Sequence, residues 1–353
     1  MAQFLEHDAW MGRYEVAPER NHRVILILAD STDPWATLVH RETQRSGGDV
    51  FWIQPAQLLD RILLNWPVVT GASVVPGTVV IDGHTIPLAD LTGIFARLTL
   101  PPPIELEELS SQDRDYVIKE TTATWLAFLN AMPCCVVNRP VPGGRPTILA
   151  GSLLLSQLAQ EHGFLLPPSR CTSSRADAVL QFSAWGECVY LKPLGSHEPG
   201  MILQSQDGVE QISLVMEQHA VSMQSMPRGQ QITVYVVGDN AVATVVHANE
   251  HLEQSMELPF LPTQQCLGLV RALGLMFAEC HLILTPEGQI YCLDVSSAPS
   301  YWHCPHEVQQ QIACRLAVYL SGQRSLPPHD SLAGADSRSG ARQRLCTTGS
   351  PER

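Results

Sequence analysis

Cys188-Val189-Tyr190-Leu191-Lys192-Pro193-Leu194-Gly195-Ser196 runs from an apolar strand into a lysine and then into a turn containing proline and glycine. The lysine is rare. Lys119 and Lys192 are the only two in 353 residues, and arginine supplies nearly all other positive charge. A lysine closing an apolar strand is a candidate phosphate ligand, because its ammonium acts as a compact point charge. The same position also suits an ordinary edge lysine flanked by a turn. Lys119, beside Glu120 in a helical stretch, reads as part of a solvated face.

Around this stretch the composition narrows the classes. The chain is 45% hydrophobic and 16% charged, which favours folding over global disorder. Its net charge is -13 and it has no basic stripe, so nucleic acid is not an expected partner. The ten cysteines form no Cys-x-x-Cys pair and lack zinc spacings. Met1 to Arg23 is polar and does not read as a signal peptide, and no apolar run approaches the ~20 residues that span a bilayer. A soluble cytoplasmic protein with reduced thiols and no membrane partner is the expectation.

Working outward, Arg23 to Ala29 is a continuous apolar run suited to a strand buried on both faces. Asp33-Pro34 supplies an N-cap and a first-turn proline for a helix over Trp35 to Arg45, closed by Gly47-Gly48. A strand over 50–53 completes a β-α-β start, which predicts a small parallel sheet. Asp82-Gly83 between 78–81 and 84–86 predicts a hairpin. After Pro101-Pro102-Pro103, a helix is expected from Ser110 or Ser111 to about Asn130. A short strand at Val136 to Pro140 follows, then a helix from Leu149 to His162 with Gly163 beyond its end. Past Lys192 the pattern is β-rich, with hairpins about Gly238-Asp239-Asn240 and Pro286-Glu287-Gly288. Thr263 to about Glu279 reads as a helix between them. The expected organisation is an arm over 1–22, an α/β domain over 23–140, a two-lobed domain over 141–322 and a disordered tail over 323–353.

In this order the elements resemble the ATP-grasp ligases from about Val24 to Ala317. The nearest subgroup holds the ribosomal-protein glutamylation ligases and the graspetide, or microviridin-type, peptide ligases. The resemblance is carried by the strand-lysine-Pro-x-Gly turn, Gln224-Ser225-Met226-Pro227-Arg228-Gly229 before a Val-Val-Gly hairpin, and Leu273-Gly274-Leu275-Met276-Phe277 before a hairpin ending Leu293-Asp294-Val295-Ser296. Asn138-Arg139-Pro140, Gly163 to Thr172, and the strand Gly93-Ile94-Phe95-Ala96-Arg97 are similar to further family motifs.

The resemblance implies an α/β and α+β fold in which two lobes clamp ATP behind a small parallel α/β domain. It implies a carboxylate that attacks the γ-phosphate to give an acyl phosphate, captured by an amine or hydroxyl. Lys192 would contact the phosphates under the loop of Gly195 and Ser196, and Gln224, Ser225 and Met226 would line the adenine through the strand backbone. Mg2+ would be held at Asp294, Ser296 and His281, and Arg97 would serve the acceptor side. The implied partner is a peptide or small-molecule carboxylate substrate, with a homodimer or a partner ligase as further associations.

Several positions depart from the family pattern. Ala150, Gly151 and Ser152 stand where a second lysine is usual, Thr233 replaces an arginine, and Ser225 replaces a hinge acid. His281, Asp294 and Ser296 replace an acid and a Glu-x-Asn pair. Imidazole suits transition metals better than magnesium. Two readings follow: a ligase with a rewired metal site, to which Glu279 or Glu287 contributes, or a degenerate ATP-grasp protein that binds peptide, nucleotide or partner without turnover. His281, His303 and His306 near Cys304 also admit a zinc or iron site, against a solvated loop and helix start.

Overall fold

Val24–Leu28 forms strand β1 with all five residues buried. Its alternate side chains enter two different cores: Ile25 and Ile27 pack with Trp35, Val39 and Leu316, whereas Val24, Leu26 and Leu28 pack with Trp125, Phe128 and Val79. This is why the run is apolar throughout rather than alternating. The computed structural model describes residues 23–58, 62–66, 77–97, 109–140, 152–186, 188–194, 200–204, 207–248, 252–255, 259–300 and 304–322. The predicted arm and tail, Pro101 to Pro103, Ala150, Gly151, Gly195, Ser196 and His303 lie outside them.

Helix α1 (Pro34–Arg45) is capped as expected, with Asp33 Oδ1 accepting from the N–H groups of Trp35 and Ala36. It returns the chain to strand β2 (Asp49–Ile53), parallel to β1. A three-stranded antiparallel sheet follows: β3 (Ile62–Asn65), β4 (Thr78–Ile81) and β5 (His84–Pro87). The expected β4–β5 hairpin turns through Asp82 and Gly83, both at positive φ. Strand β6 (Leu91–Ala96), helix α2 (Ser111–Ala131) and strand β7 (Cys135–Val137) complete the first domain, whose parallel sheet has the order β2-β1-β6-β7.

The next elements are helix α3 (Ser152–Glu161), strand β8 (Ser169–Thr172), helix α4 (Arg175–Ala184), strands β9 (Cys188–Pro193) and β10 (Met201–Gln204), helix α5 (Gly208–Met216) and strand β11 (Val221–Ser225). They build an antiparallel sheet of order β10-β9-β11-β8. On one face, Val189, Leu191, Leu203, Val221 and Met223 pack against Ala178, Phe182 and Ile212 of α4 and α5. The second lobe contains strands β12 (Gln230–Val237), β13 (Asn240–Ala248) and β14 (Leu252–Ser255), helix α6 (Phe260–Ala272), and strands β15 (Phe277–Leu284) and β16 (Ile290–Ser296). Its sheet has the order β14-β13-β12-β15-β16. Helix α7 (His306–Leu320) returns to the first sheet, burying Val308, Ile312 and Leu316 beside Ile25, Ile27 and Phe95.

One expectation is corrected here. The helix predicted to reach Glu279 stops at Ala272, and the strand begins at Phe277. Gly274 lies at φ +69, a left-handed conformation that ends the helix. Glu279 is therefore a strand residue, one rung from the candidate site. Helix α5 also falls within the stretch past Lys192 that reads as β-rich, and it packs with α4 on β9 and β10.

Candidate functional site

Two sheet faces oppose one another. Across an antiparallel pair, facing residues share a side of the sheet, so the pairings Tyr190↔Gln224, Lys192↔Ser222 and Ile202↔Tyr190 put these five side chains on one face of the β8–β11 sheet. The neighbouring face belongs to the second lobe. Thr233 pairs with His281 and His281 with Asp294, while Tyr235 pairs with Glu279 and Glu279 with Ser296. These two adjacent rungs of polar residues form the floor under Tyr190 and Lys192.

A register shift aims the key carboxylate. His281 pairs with Asp294 but Leu282 pairs with Cys292, which leaves Leu293 as an extra residue in β16. Cys292 and Val295 enter the core between β15 and α6, whereas Leu293 joins Tyr190 and Ile283 between the lobes. The Leu293 carbonyl accepts from Gln224 Nε2 at 3.1 Å.

Lys192 meets Asp294 there. Its Nζ lies 2.7 Å from Oδ1 and 2.6 Å from Oδ2, with the aspartate side chain 6% exposed and the lysine side chain 29% exposed. The Tyr190 hydroxyl donates to Oδ2 at 3.2 Å. Burial and the adjacent Asp294 charge push the Tyr190 phenol well above its ordinary range. Gly200 has no Cβ for a reason: one would overlap the Tyr190 ring. A cavity of about 240 Å³ opens beside these residues, lined by Tyr190, Gly200, Ile202, Thr233, His281 and Leu293 among others.

Two buried polar atoms of the upper face lack a partner among the described residues: Ser222 Oγ and Gln224 Oε1. Donation from Gln224 Nε2 to a carbonyl fixes which way its amide points. The adjoining backbone is already engaged, since Ser225 N–H donates to Pro168 O and Met226 N–H to Cys188 O. Those two N–H groups are therefore engaged within the protein, which leaves Gln224 Oε1 as an unpartnered acceptor beside them.

The expected magnesium ligands are close in register but are not assembled around a common centre. Magnesium takes one or two carboxylates together with substrate phosphates, and both carboxylates of the floor are committed. Asp294 is engaged by Lys192 at both oxygens and by the Tyr190 hydroxyl at Oδ2. Glu279 Oε2 accepts from Ser300 N–H at 2.9 Å, and its Oε1 lies 3.4 Å from the Tyr235 hydroxyl and 3.6 Å from His281 Nε2. Ser296 Oγ accepts from Ala298 N–H at 3.2 Å, closing a turn. Among the described residues no three His, Cys, Asp or Glu side chains are grouped to hold a metal ion. The predicted magnesium set of Asp294, Ser296 and His281 does not fit that ion.

Glu279 is the functional-face acid that strand placement reveals, and burial pushes its pKa up against the opposing effects of His281 and Ser300. Glu287 stays exposed at its hairpin. Arg97 stands past β6, where its Nε donates to Asp33 Oδ2 at 2.5 Å. Asp33 thus caps α1 with one oxygen and holds Arg97 with the other, and among the described residues Arg97 makes no ion pair with the cleft. Among the described residues, no helix is long and apolar enough to cross a membrane.

Comparison with solved structures matches this architecture over most of the chain. A RiPP-associated ATP-grasp ligase from Chryseobacterium gregarium, in complex with ADP and a leader and core peptide, superposes with a TM-score of 0.66 at 15% identity, covering 86% of this chain and 98% of its own. The chain has the ATP-grasp fold. The macrocyclase MdnC of Microcystis aeruginosa MRC, bound with precursor peptide MdnA, gives a TM-score of 0.63 at 14% identity over 82% of this ATP-grasp chain and 98% of its own. A RimK domain protein from Sphaerobacter thermophilus gives 0.52 at 17% identity, over 84% and 99%. No protein-family model matches the sequence, and no curated protein matches it.

Proposed function

We propose that the cleft between the two sheets binds ATP, and that the chain ligates a peptide or protein carboxylate to an amine or hydroxyl. The observation that carries this reading is Lys192, held on the cleft face of β9 against Asp294 of the other lobe. An ammonium has three donors. Two are on Asp294, and the third remains for a phosphate oxygen. The unpartnered Gln224 Oε1 is an acceptor suited to the exocyclic amine of adenine, and Ser222 Oγ offers a second polar contact beside Lys192. The peptide substrate is supported by structural neighbours whose complexes contain leader, core or precursor peptides.

In the proposed reaction, a substrate carboxylate oxygen bonds to the γ-phosphorus as the bond from that phosphorus to the bridging oxygen breaks. ADP leaves with the electron pair. The acceptor nitrogen or oxygen then bonds to the acyl carbon, inorganic phosphate leaves with the carbon–oxygen pair, and the acceptor proton passes to solvent. Lys192 would orient phosphate, Gln224 would orient the base, and Arg97, pre-set by Asp33, would face the acceptor side.

A second reading, a binding module without turnover, is favoured by the neutralisation of Lys192 and by Thr233 in place of a cation. Calorimetric titration of ATP into wild type and Lys192→Ala tests the shared part. Micromolar binding lost in the variant supports a nucleotide site, and release of ADP with candidate peptides then separates ligase from module. Absence of nucleotide binding would sink both nucleotide readings.

A further inference from the structure

We propose that Asp294 is the internal counter-anion of Lys192 rather than a magnesium ligand, and that the cleft takes a phosphate-bearing nucleotide without a divalent metal. The proposal rests on the nucleotide reading above and deepens it.

The geometry that carries it is the distribution of partners over the floor. Asp294 has both oxygens on Nζ and one also on the Tyr190 hydroxyl. A cation entering there must displace an ammonium that already satisfies the charge, and must also break the lock between the lobes. Glu279, the other acid, is 7% exposed and shares its oxygens with Ser300, Tyr235 and His281. Ser296 is spent on its own turn, and His281 is the wrong donor for a hard ion. The two carboxylates and the Ser296 hydroxyl of the floor therefore each have a protein partner, and Lys192 is the cation that answers Asp294.

The sign of one substitution separates the two roles. If Asp294 ligates magnesium, Asp294→Asn weakens nucleotide binding. If Asp294 competes with phosphate for Lys192, the same change frees a cation and strengthens binding in the absence of metal.

The experiment is calorimetric titration of ATP into wild type and Asp294→Asn, each in EDTA and in excess magnesium. It is paired with titration of Mn2+ alone, followed by the paramagnetic resonance of the free ion. Expected results are wild-type affinity in EDTA within about threefold of that in magnesium, metal-free affinity about tenfold higher in Asp294→Asn, and no protein-bound manganese. An increase of about tenfold or more on adding magnesium to wild type, removed in Asp294→Asn, would overturn the proposal. So would manganese bound by wild type and released by the variant. If neither protein binds ATP under either condition, the nucleotide reading falls, while the manganese titration still decides the role of Asp294. The two wild-type comparisons do not depend on the variant folding.

Discussion

Asn138 holds Phe277 by both of its backbone polar groups: Nδ2 donates to the Phe277 carbonyl at 2.6 Å, and Oδ1 accepts from the Phe277 N–H at 2.9 Å. The same amide donates to Ser297 O at 2.8 Å and accepts from Met276 N–H at 2.8 Å. One side chain after β7 thus satisfies the entry to β15 and the exit from β16, and so fixes the first domain to the sheet that carries Glu279 and Asp294. Asn138→Ala should cost about 3 kcal/mol, since backbone groups at a part-buried junction lose their partners. Asn138→Asp should do no better, because its carboxylate would face two carbonyl oxygens. Denaturant unfolding of the two variants checks this. A loss below about 1 kcal/mol in Asn138→Ala would show that water replaces the amide.

Lys192 and Asp294 should be coupled in stability as well as in binding. Lys192→Met leaves a nearly buried carboxylate with the Tyr190 hydroxyl as its remaining partner. A cost of about 2 kcal/mol is expected, below the ~3–5 kcal/mol of a fully buried pair because the lysine side chain is 29% exposed. Adding Asp294→Leu should recover most of that loss, since the orphaned charge is then gone. Thermal unfolding of both singles and the double measures the coupling, and additive losses would show that the pair is not a lock.

Gln224 Oε1 gives a base preference. Gln224→Leu should lower affinity for ATP about tenfold and leave the weaker affinity for GTP nearly unchanged, because guanine presents an acceptor where adenine presents an amine. Equal losses for the two nucleotides would mean that the side chain supports the strand rather than reading the base.

Much of this arrangement was legible from local chemistry. Arg23 to Ala29 reads as a doubly buried strand because both its faces meet apolar cores, and Asp33-Pro34 announces its helix because a cap needs an oxygen and tolerates a proline. Lys192 stood out because a rare charge ends an apolar strand. Strand alternation also contained an unused signal, since Tyr190, two residues before Lys192, must share its face. Glu279 was named as a contributing acid, but its place on a strand was hidden because Leu273 to Ala278 is apolar enough to extend a helix, and only Gly274 marks the break. The extra residue Leu293 left no mark in composition, because a register shift is a property of the pairing between β15 and β16. The partners of Asp294 and Arg97 depend on segments 102 and 64 residues away, beyond the reach of any local pattern.

Glu279 makes stability depend on pH. Burial raises its pKa from the ordinary 4.5, with Asp294 adding in the same direction, against the lowering effects of His281, Ser300 and Tyr235. A carboxyl group whose folded pKa exceeds its unfolded pKa contributes stability that is fully present below the unfolded value. That contribution is lost as pH rises through the folded value. Glu279→Gln cannot ionise and keeps an acceptor for Ser300 N–H. The variant should therefore gain on wild type as pH rises from about 4 toward 8, and show no advantage at the acid end. Unfolding temperatures of the two proteins across this range test the sign. A difference that stays constant with pH would mean that Glu279 titrates normally, with the cleft wet enough to solvate it. A difference of the opposite slope would mean that the His281 contact dominates and holds the carboxylate charged in the folded state.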